Sequence, residues 1–201
     1  MSIEFYEKNA QSYFDSTVDL DLSKIYSRFT NLLPTDARIL DAGCGSGRDI
    51  KYFLSKGYRV DAFDASKEMA QLATQYTGIR IINSTFDSFT SKEKYNGIWA
   101  CASLVHISRE EIIRTLSNLC THLDEDGVLY FSMKYKNEDR EEDERRFTEI
   151  DDEFLKYEIK SSKEFELVDS FLTTDIRVQQ SNIWINVLLK KNNTHKHSED
   201  A

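Results

Sequence analysis

Four residues in the segment RILDAGCGSGRD (38–49) have types and a spacing that suit ligand binding. Asp41 ends an apolar run, and Gly43, Gly45 and Gly47 follow on alternate positions. The whole chain has only seven glycines, so three in one short loop indicate an unusual backbone. Glycine permits a tight turn and lets a ligand approach the main chain without a Cβ in the way. The segment therefore predicts a strand-to-helix turn, which either serves the fold alone or also cradles a ligand.

The charges beside this loop bear on the chemistry of a ligand. A dinucleotide fingerprint, G-x-G-x-x-G, would need its third glycine at the position of Arg48, and Asp41 would repel a pyrophosphate. S-adenosylmethionine suits the loop better, because it lacks phosphate and carries an ammonium and a sulfonium that attract carboxylates. Asp64 ends the next apolar segment, at the distance where an acid holds ribose hydroxyls. NAD sites use the same device, so Asp64 indicates a nucleoside without separating the two cofactors.

The elements that must position these residues alternate along the chain. Helical periodicity covers 22–33, 46–56, 66–76 and 109–123, and strand patterns cover 38–42, 58–64, 79–83, 97–103 and 128–135. This order predicts an α/β fold with right-handed crossovers and a parallel sheet covered by helices. Beyond a charged run without strand character, residues 151–160 look helical. Residues 165–176 and 182–191 look like two strands that pair as an antiparallel hairpin at the sheet edge.

Length, charge and cysteine content limit the class of protein. A chain of 201 residues fits one domain, assigned here to residues 1–190, with a polar tail at 191–201 that is expected to be disordered. The 26 basic and 35 acidic side chains give a net charge of −9, which disfavours a nucleic-acid partner. His195 and His197 are interpreted as solvated tail residues, so no metal is expected.

Three scattered cysteines without C-x-x-C spacing indicate free thiols in a reducing compartment. No window approaches 18 uninterrupted apolar residues, and the first residues lack the apolar core of a signal peptide. We therefore expect a cytoplasmic protein without a membrane partner, as a monomer or a homodimer.

Four motifs together resemble the class I S-adenosylmethionine-dependent methyltransferases. They are ILDAGCGSGRD (39–49), VDAFDAS (60–66), YNGIWACASLVHI (95–107) and LDEDGVLYFSMK (123–134), in the family's order and spacing. The portion GSGRD…GYRVDAFDAS is similar to the small tellurite-resistance-type methyltransferases, and GIWACASLVHI to an uncharacterised bacterial branch near them. The resemblance implies a Rossmann-like, seven-stranded, mostly parallel sheet with an antiparallel edge hairpin and helices on both faces. It also implies S-adenosyl-L-methionine as the cofactor.

The resemblance further implies a set of cofactor-binding residues. Asp41 would balance the ammonium through water, and Asp64 would hold the ribose. The full set is Asp41, Gly43, Cys44, Gly45, Asp64, Ala65, Met69, Thr85, Phe86, Asp87, Cys101, Ala102 and Tyr13. In this set Asp87 has an equal alternative as a helix cap or surface acid.

The N-terminal segment FYEKNAQSYF is similar to the segment that lies over the cofactor in related enzymes. Tyr6, Asn9 and Tyr13 would then belong to a helical lid within residues 1–34. The alternative is an amphipathic helix that packs its rings on the core.

Four residues are candidates for the acceptor side of the site. His106 follows the fourth strand and is the candidate general base, and its alternative is a histidine that packs where strand meets helix. Arg48 either faces the substrate or forms a structural ion pair. Tyr135 ends the fifth strand, and Arg146 lies in the charged insert at 136–150, from which an arginine could reach a carboxylate.

These observations favour an enzyme that methylates a small-molecule acceptor by in-line displacement, because 201 residues leave no separate module for reading RNA or protein. No nucleophilic side chain is required, so Cys44 and Cys101 are interpreted as small loop or pocket residues. One alternative is a tRNA, rRNA or protein methyltransferase, which a basic face would favour. Another is a catalytically silent regulatory subunit that binds S-adenosylmethionine. A dehydrogenase ranks last because of Arg48.

Overall fold

The computed structural model describes residues 2–136, 140–142, 145–177 and 182–192. From position 193 the predicted tail, with His195 and His197, lies outside the described residues. No helix in the described ranges is both long and apolar enough to cross a membrane.

A mixed β-sheet forms the centre of the molecule. Its strands are β1 (Arg38–Ala42), β2 (Arg59–Asp64), β3 (Ile82–Asn83), β4 (Tyr95–Ala100), β5 (Leu123–Tyr135), β8 (Glu149–Ile150), β9 (Phe165–Thr174) and β10 (Ile183–Lys191), and a separate pair comprises β6 (Arg140–Glu142) and β7 (Arg145–Phe147). The order is β3-β2-β1-β4-β5-β10-β9, and β8 pairs with the end of β5. Strands β1 to β5 are parallel, whereas β10 is antiparallel to both β5 and β9. The predicted mostly parallel sheet with an antiparallel edge hairpin is confirmed, and the short β8 adds an eighth strand to the predicted seven.

Helices cover the sheet. They are α1 (Ser2–Thr17), α2 (Ser23–Thr30), α3 (Arg48–Ser55), α4 (Lys67–Thr77), α5 (Arg109–Thr121) and α6 (Asp152–Phe154), which continues as a π-helical turn over Leu155–Ile159. A 3₁₀ turn, Leu104–His106, follows β4. The start of α4 shows how local sequence sets these bounds, because the Ser66 hydroxyl accepts a hydrogen bond from the Met69 amide as an N-cap.

The core lies on both faces of the sheet. On one face Trp99 stacks on Tyr130 with ring centroids 3.9 Å apart, and Phe29 and Phe53 lie 5.2 and 5.4 Å from Trp99. On the other face the aliphatic residues of β1, β4 and β5 pack against α5. Burial of β5 on both faces agrees with its nearly continuous apolar sequence.

The order of the strands reverses between β1 and β4. From β1 the chain proceeds outward through β2 to β3, and from β4 it proceeds the other way to β5. In open α/β sheets the crevice beyond the carboxyl ends of the strands at such a point is the usual ligand site.

The charged insert differs from its prediction. The sequence indicates no strand there, and this is wrong, because β6 and β7 pair antiparallel with Arg140 opposite Phe147. The hairpin docks on the 3₁₀ turn, since the Thr148 amide donates to the Val105 carbonyl at 2.7 Å and Phe147 is buried. Tertiary contacts thus supply the strand structure that the charged sequence does not indicate.

Candidate active site

The glycine loop connects β1 to α3 with left-handed backbone conformations. Gly43 and Gly45 have φ values of +77° and +52°. A Cβ at Gly43 would lie 2.5 Å from the Cβ of Ser103, so this position has no room for a side chain. A Cβ at Gly45 would have only the Tyr13 ring nearby, at 3.8 Å. Packing therefore requires glycine at position 43, whereas Gly45 faces the space beneath α1.

The carboxylate of Asp64 is fixed at the edge of this loop. Its two oxygens accept from the amides of Gly45 at 2.8 Å and Ser66 at 2.9 Å. Burial raises the pKa of Asp64, and the two amide hydrogen bonds oppose that shift. The Asn83 side chain donates to the carbonyls of Asp64 and Ala65, which holds the end of β2 in place. Each carboxylate oxygen keeps a second lone pair for a ligand hydroxyl.

Asp41 is the second carboxylate of the loop, and it is 1% exposed. Its Oδ2 atom has no hydrogen-bond partner within the described part of the chain. Burial raises the pKa of Asp41 well above its ordinary value, the neighbouring Asp49 raises it further, and Arg48 opposes both. Buried carboxylate oxygens are nearly always hydrogen-bonded, so this atom indicates a donor that comes from a ligand or a bound water.

A cavity of about 1120 Å³ opens at the carboxyl ends of the central strands. Most of the predicted site residues line it: Gly43, Cys44, Gly45, Asp64, Ala65, Met69, Thr85, Phe86, Asp87, Cys101, Ala102, Tyr13, Arg48, His106 and Arg146. Asp41 is buried behind the loop. Asp87 is at the rim, where its carboxylate lies 3.2 Å from Arg114 and both side chains are largely exposed.

Arg48 belongs to a buried ion pair. Its guanidinium donates to both oxygens of Asp49, at 2.6 and 3.0 Å, and Asp49 also accepts from the Tyr26 hydroxyl at 2.5 Å and the Trp99 indole at 2.7 Å. Burial acts to raise the pKa of Asp49, but the charge and hydrogen bonds of Arg48, with those of Tyr26 and Trp99, hold it below its ordinary value. The structure shows the ion pair for Arg48 and also places it in the lining of the cavity, so a contact with the substrate stays a prediction.

His106 also lines the cavity and is held in one tautomer. Its Nδ1 lies 2.7 Å from the carbonyl oxygen of Arg146, which can only accept, so the proton is on Nδ1. The hydroxyl of Tyr6 lies 2.9 Å from Nε2 and donates to it. Burial lowers the pKa of His106 to about 4. The hydrogen bond with the Arg146 carbonyl opposes this shift, and the charges of Arg145 and Lys134 lower the pKa further. The imidazole is therefore neutral at pH 7 with its lone pair on Nε2.

Aromatic rings surround this histidine. The ring of Tyr6 lies 4.9 Å from that of Tyr13, and the ring of Phe147 lies 4.9 Å from the His106 imidazole. The guanidinium of Arg145 lies over the Phe5 ring at 4.1 Å. This end of the cavity is therefore largely aromatic, with a cationic group on one side.

One acceptor-side prediction, Tyr135, is placed away from the cavity, whereas another, Arg146, lines it. Tyr135 does not line the cavity, and its hydroxyl donates to Asp152 at 2.9 Å. Successive strand residues point to opposite faces, and on β5 it is the preceding Lys134 that lines the cavity. Arg146 contributes its carbonyl to His106, and its side chain is exposed, whereas the neighbouring Arg145 lies over Phe5.

Helix α1 lies over the glycine loop. Glu7 accepts from the Lys67 amide at 2.6 Å, at the first turn of α4, and Phe14 contacts Tyr76 edge-to-face at 5.5 Å. Asn9 has non-helical angles (φ −116°, ψ 19°), which divide α1 into two segments at a kink.

Three positioning residues have no signal in the sequence. Ser103 donates to the Ala42 carbonyl at 2.7 Å and packs on Gly43. Glu7 connects α1 to α4 by accepting from the Lys67 amide. Asp49 accepts four hydrogen bonds, two from Arg48 and one each from Tyr26 and Trp99. Each acts through contacts between distant segments, which no local pattern encodes.

The strand order and the loop crevice define a class I methyltransferase fold. A family model described as a methyltransferase domain matches residues 14–168, and the chain belongs to that family.

Solved structures share the fold. The 1,6-didemethyltoxoflavin-N1-methyltransferase of Burkholderia thailandensis has a TM-score of 0.75 at 22% identity, over 96% of this chain and 86% of that one. Magnesium protoporphyrin IX methyltransferase from Synechocystis PCC 6803 has a TM-score of 0.70 at 16% identity, over 95% of each chain. A TehB-like methyltransferase from Corynebacterium glutamicum has a TM-score of 0.68 at 20% identity, over 95% and 98%.

Two curated relatives are similar in sequence over a shorter range. The ubiquinone biosynthesis O-methyltransferase of Rickettsia typhi is 27% identical over 100 residues, which are 47% of this chain and 40% of the relative. The protein of the same name from Rickettsia prowazekii is 25% identical over 120 residues, or 57% and 46%. The match thus spans less than half the length of either relative.

Proposed function

We propose that this protein is an S-adenosylmethionine-dependent methyltransferase that acts on a small-molecule acceptor by in-line displacement. One observation carries the proposal: the same cavity is lined by a carboxylate-and-glycine cradle and by a neutral histidine whose Nε2 accepts a hydrogen bond. The cradle suits a nucleoside with a cationic amino-acid portion, and the histidine suits a group that loses a proton.

The residues of the cradle fit this cofactor. The orphaned Oδ2 of Asp41 suits an ammonium held through a water, the lone pairs left on Asp64 suit a pair of ribose hydroxyls, and Gly45 leaves the main chain accessible. Ala65, Met69, Thr85 and Phe86 would flank the adenine, and Cys101 and Ala102 would lie beside the sulfur. When bound, S-adenosylmethionine supplies a methyl group that its sulfonium makes electrophilic.

The protein's own contribution is positioning and proton acceptance. His106 accepts a hydrogen bond from the acceptor at Nε2 and, because a pKa of about 4 makes it a weak base, takes the proton only as the methyl group transfers and acidifies the acceptor atom. The Arg146 carbonyl holds the ring in the required tautomer. Burial raises the pKa of Cys101 to about 12, so its thiol stays protonated and takes no part as a nucleophile. Fixing nucleophile and methyl on one axis can supply about 7–11 kcal/mol of the barrier.

The cavity and the charge support a small acceptor. A volume of about 1120 Å³ accommodates a nucleoside cofactor and a compound of modest size together. The net charge of −9 disfavours nucleic acid. The ubiquinone biosynthesis O-methyltransferases and the didemethyltoxoflavin methyltransferase are relatives or structural neighbours whose names also refer to small molecules.

The first test is calorimetric titration with S-adenosylhomocysteine. We expect binding by the native protein and a loss of about 10- to 100-fold in Asp64→Ala, because each hydrogen bond to a charged group contributes roughly 1.5–3 kcal/mol. Asp169→Ala, at an exposed acid that pairs with Arg28 on the far edge of the sheet, is the matched control and should bind normally. Binding of NADH in place of S-adenosylhomocysteine would refute the cofactor assignment.

The second test is a methyl-transfer screen with radiolabelled cofactor over phenols, carboxylic acids, amines, thiols and bulk tRNA. Transfer to a small molecule supports the proposal, and transfer to tRNA alone refutes it. Cofactor binding without turnover on any acceptor would favour the silent regulatory subunit. His106→Ala should lose turnover and keep cofactor affinity.

A further inference from the structure

The Nε2 atom of His106 already accepts a hydrogen bond from a phenol group of the protein itself. This group is the side chain of Tyr6 on α1, whose oxygen lies 2.9 Å from Nε2. We propose that Tyr6 holds the place of the acceptor, and that the acceptor is a planar aromatic compound whose hydroxyl or N–H group replaces the Tyr6 phenol on His106. This inference rests on the proposed function and names the substrate class of the same site.

The first argument concerns the atom itself. Because the Nδ1–H group donates a hydrogen bond to the Arg146 carbonyl, Nε2 carries a lone pair and can only accept a hydrogen bond. A group that meets this atom must therefore donate an O–H or N–H. A thiolate or an inorganic oxyanion has no proton to donate, so the site discriminates against such acceptors.

The second argument concerns the walls. The Tyr6 ring packs edge-to-face against Phe5 at 5.6 Å and against Tyr13 at 4.9 Å, and it lies 5.6 Å from the His106 ring. Phe147 lies on His106 from the β7 side. A space that already accommodates one phenol ring between aromatic neighbours suits another flat ring of the same kind.

The third argument identifies which partner moves. His106 is fixed, because Arg146 holds its Nδ1 and the Thr148 amide joins the insert to the Val105 carbonyl. Tyr6 lies before the kink at Asn9, whereas Tyr13 lies after it. The first segment of α1 can therefore withdraw Tyr6, which also opens the hydrogen bond between Glu7 and the Lys67 amide, while the second segment keeps its contacts with the glycine loop. Tyr6 also lies outside residues 14–168, the range that the family model matches.

The test uses 4-nitrophenol, whose absorbance separates the neutral phenol from the phenolate. It is titrated into protein that is saturated with S-adenosylhomocysteine, at a pH below the pKa of the phenol. We expect the neutral form to bind, and Tyr6→Phe to bind it at least about tenfold more tightly, because the closed arrangement loses the hydrogen bonds of the Tyr6 hydroxyl with His106 and with Arg145. Tyr157→Phe, at a 59% exposed tyrosine, should match the native affinity. His106→Ala should bind weakly.

Unchanged or weaker binding of 4-nitrophenol in Tyr6→Phe would overturn the inference, and so would binding as the phenolate or displacement by sodium tellurite. If Tyr6 instead relays the proton, Tyr6→Phe would lower kcat and leave KM unchanged. Imidazole ¹⁵N shifts provide a second readout without substitution: 4-nitrophenol should move the His106 Nε2 resonance while Nδ1 stays protonated. Failure of S-adenosylhomocysteine to bind would reject the proposed function, whereas normal binding with a failed phenol titration would reject this inference alone.

Discussion

Replacement of glycine by alanine at three positions separates what the protein needs from what the ligand needs. Gly43, Gly45 and Gly57 all have positive φ, at +77°, +52° and +87°. Alanine in the left-handed region costs about 1–2 kcal/mol, so all three variants share that loss of stability. At Gly57 no other described residue lies within 4 Å of the added Cβ, which makes Gly57→Ala the control for backbone strain alone.

The variants should then diverge in stability. At Gly43 the added Cβ would lie 2.5 Å from the Cβ of Ser103, more than about 1 Å inside an ordinary carbon contact. Such overpacking costs about 1–3 kcal/mol beyond the strain. Urea unfolding should therefore show losses of about 1–2 kcal/mol for Gly45→Ala and Gly57→Ala, and about 2–5 kcal/mol for Gly43→Ala.

Ligand affinity should follow a different order. The Cβ added at Gly45 points to the cavity side of the loop, where the nearest atom is in the Tyr13 ring at 3.8 Å. Titration with S-adenosylhomocysteine should show a loss of affinity of about tenfold or more in Gly45→Ala. An overlap between the added Cβ and the ligand that costs about 1.4 kcal/mol already lowers affinity tenfold. Gly57→Ala should bind normally. Equal affinity in these two variants would refute the placement of the ligand against the loop.

Three further predictions concern stability. Asp49→Asn should lower the free energy of unfolding by about 3–5 kcal/mol in urea, because the largely buried Arg48 loses its charge partner. The pKa of His106 is about 4 in the folded protein and near 6.5 when unfolded, so the unfolded chain binds the proton in that window. Stability should fall by up to about 3 kcal/mol as pH falls from 6.5 through 4, and His106→Phe should lack this part. Glu7→Gln should cost about 0.5–1 kcal/mol and speed amide hydrogen exchange at Lys67, whose N–H donates a hydrogen bond to Glu7.

Each of these has a clear contrary result. A loss below about 1 kcal/mol in Asp49→Asn would mean that Arg48 finds another partner. Parallel pH profiles of the native protein and His106→Phe would mean that the imidazole titrates normally. Unchanged exchange at Lys67 in Glu7→Gln would mean that α1 does not close on α4 in solution.

The sequence predicts the fold because local patterns and topology agree. A strand that ends at Asp41, a glycine loop and a helix can only be arranged in a few ways, and alternating elements then imply the parallel order. The crevice, the glycine loop and Asp64 follow from that order without knowledge of any contact. The assignment of these residues to cofactor binding stays a prediction.

The acceptor side is less predictable for two physical reasons. The pair of Tyr6 and His106 joins residues 100 positions apart, and neither residue alone indicates the hydrogen bond. On β5, burial of both faces removes the alternation that would show whether Lys134 or Tyr135 faces the cavity. In the charged insert, only the docking of Phe147 reveals that a hairpin forms.

The contact between Ser103 and Gly43 connects the segment that carries His106 to the glycine loop. Ser103 donates to the Ala42 carbonyl at 2.7 Å, and the Ala102 amide donates to Ser132 at 2.9 Å. Ala102 has a φ of 53°, a conformation that a non-glycine residue adopts at a cost of about 1–3 kcal/mol and that is typical of functional sites. His106 follows only three residues after Ser103, so one short segment sets its distance from the glycine loop. Methyl transfer depends on that distance. Gly43 therefore affects the reaction through the position of His106 as much as through the shape of the glycine loop.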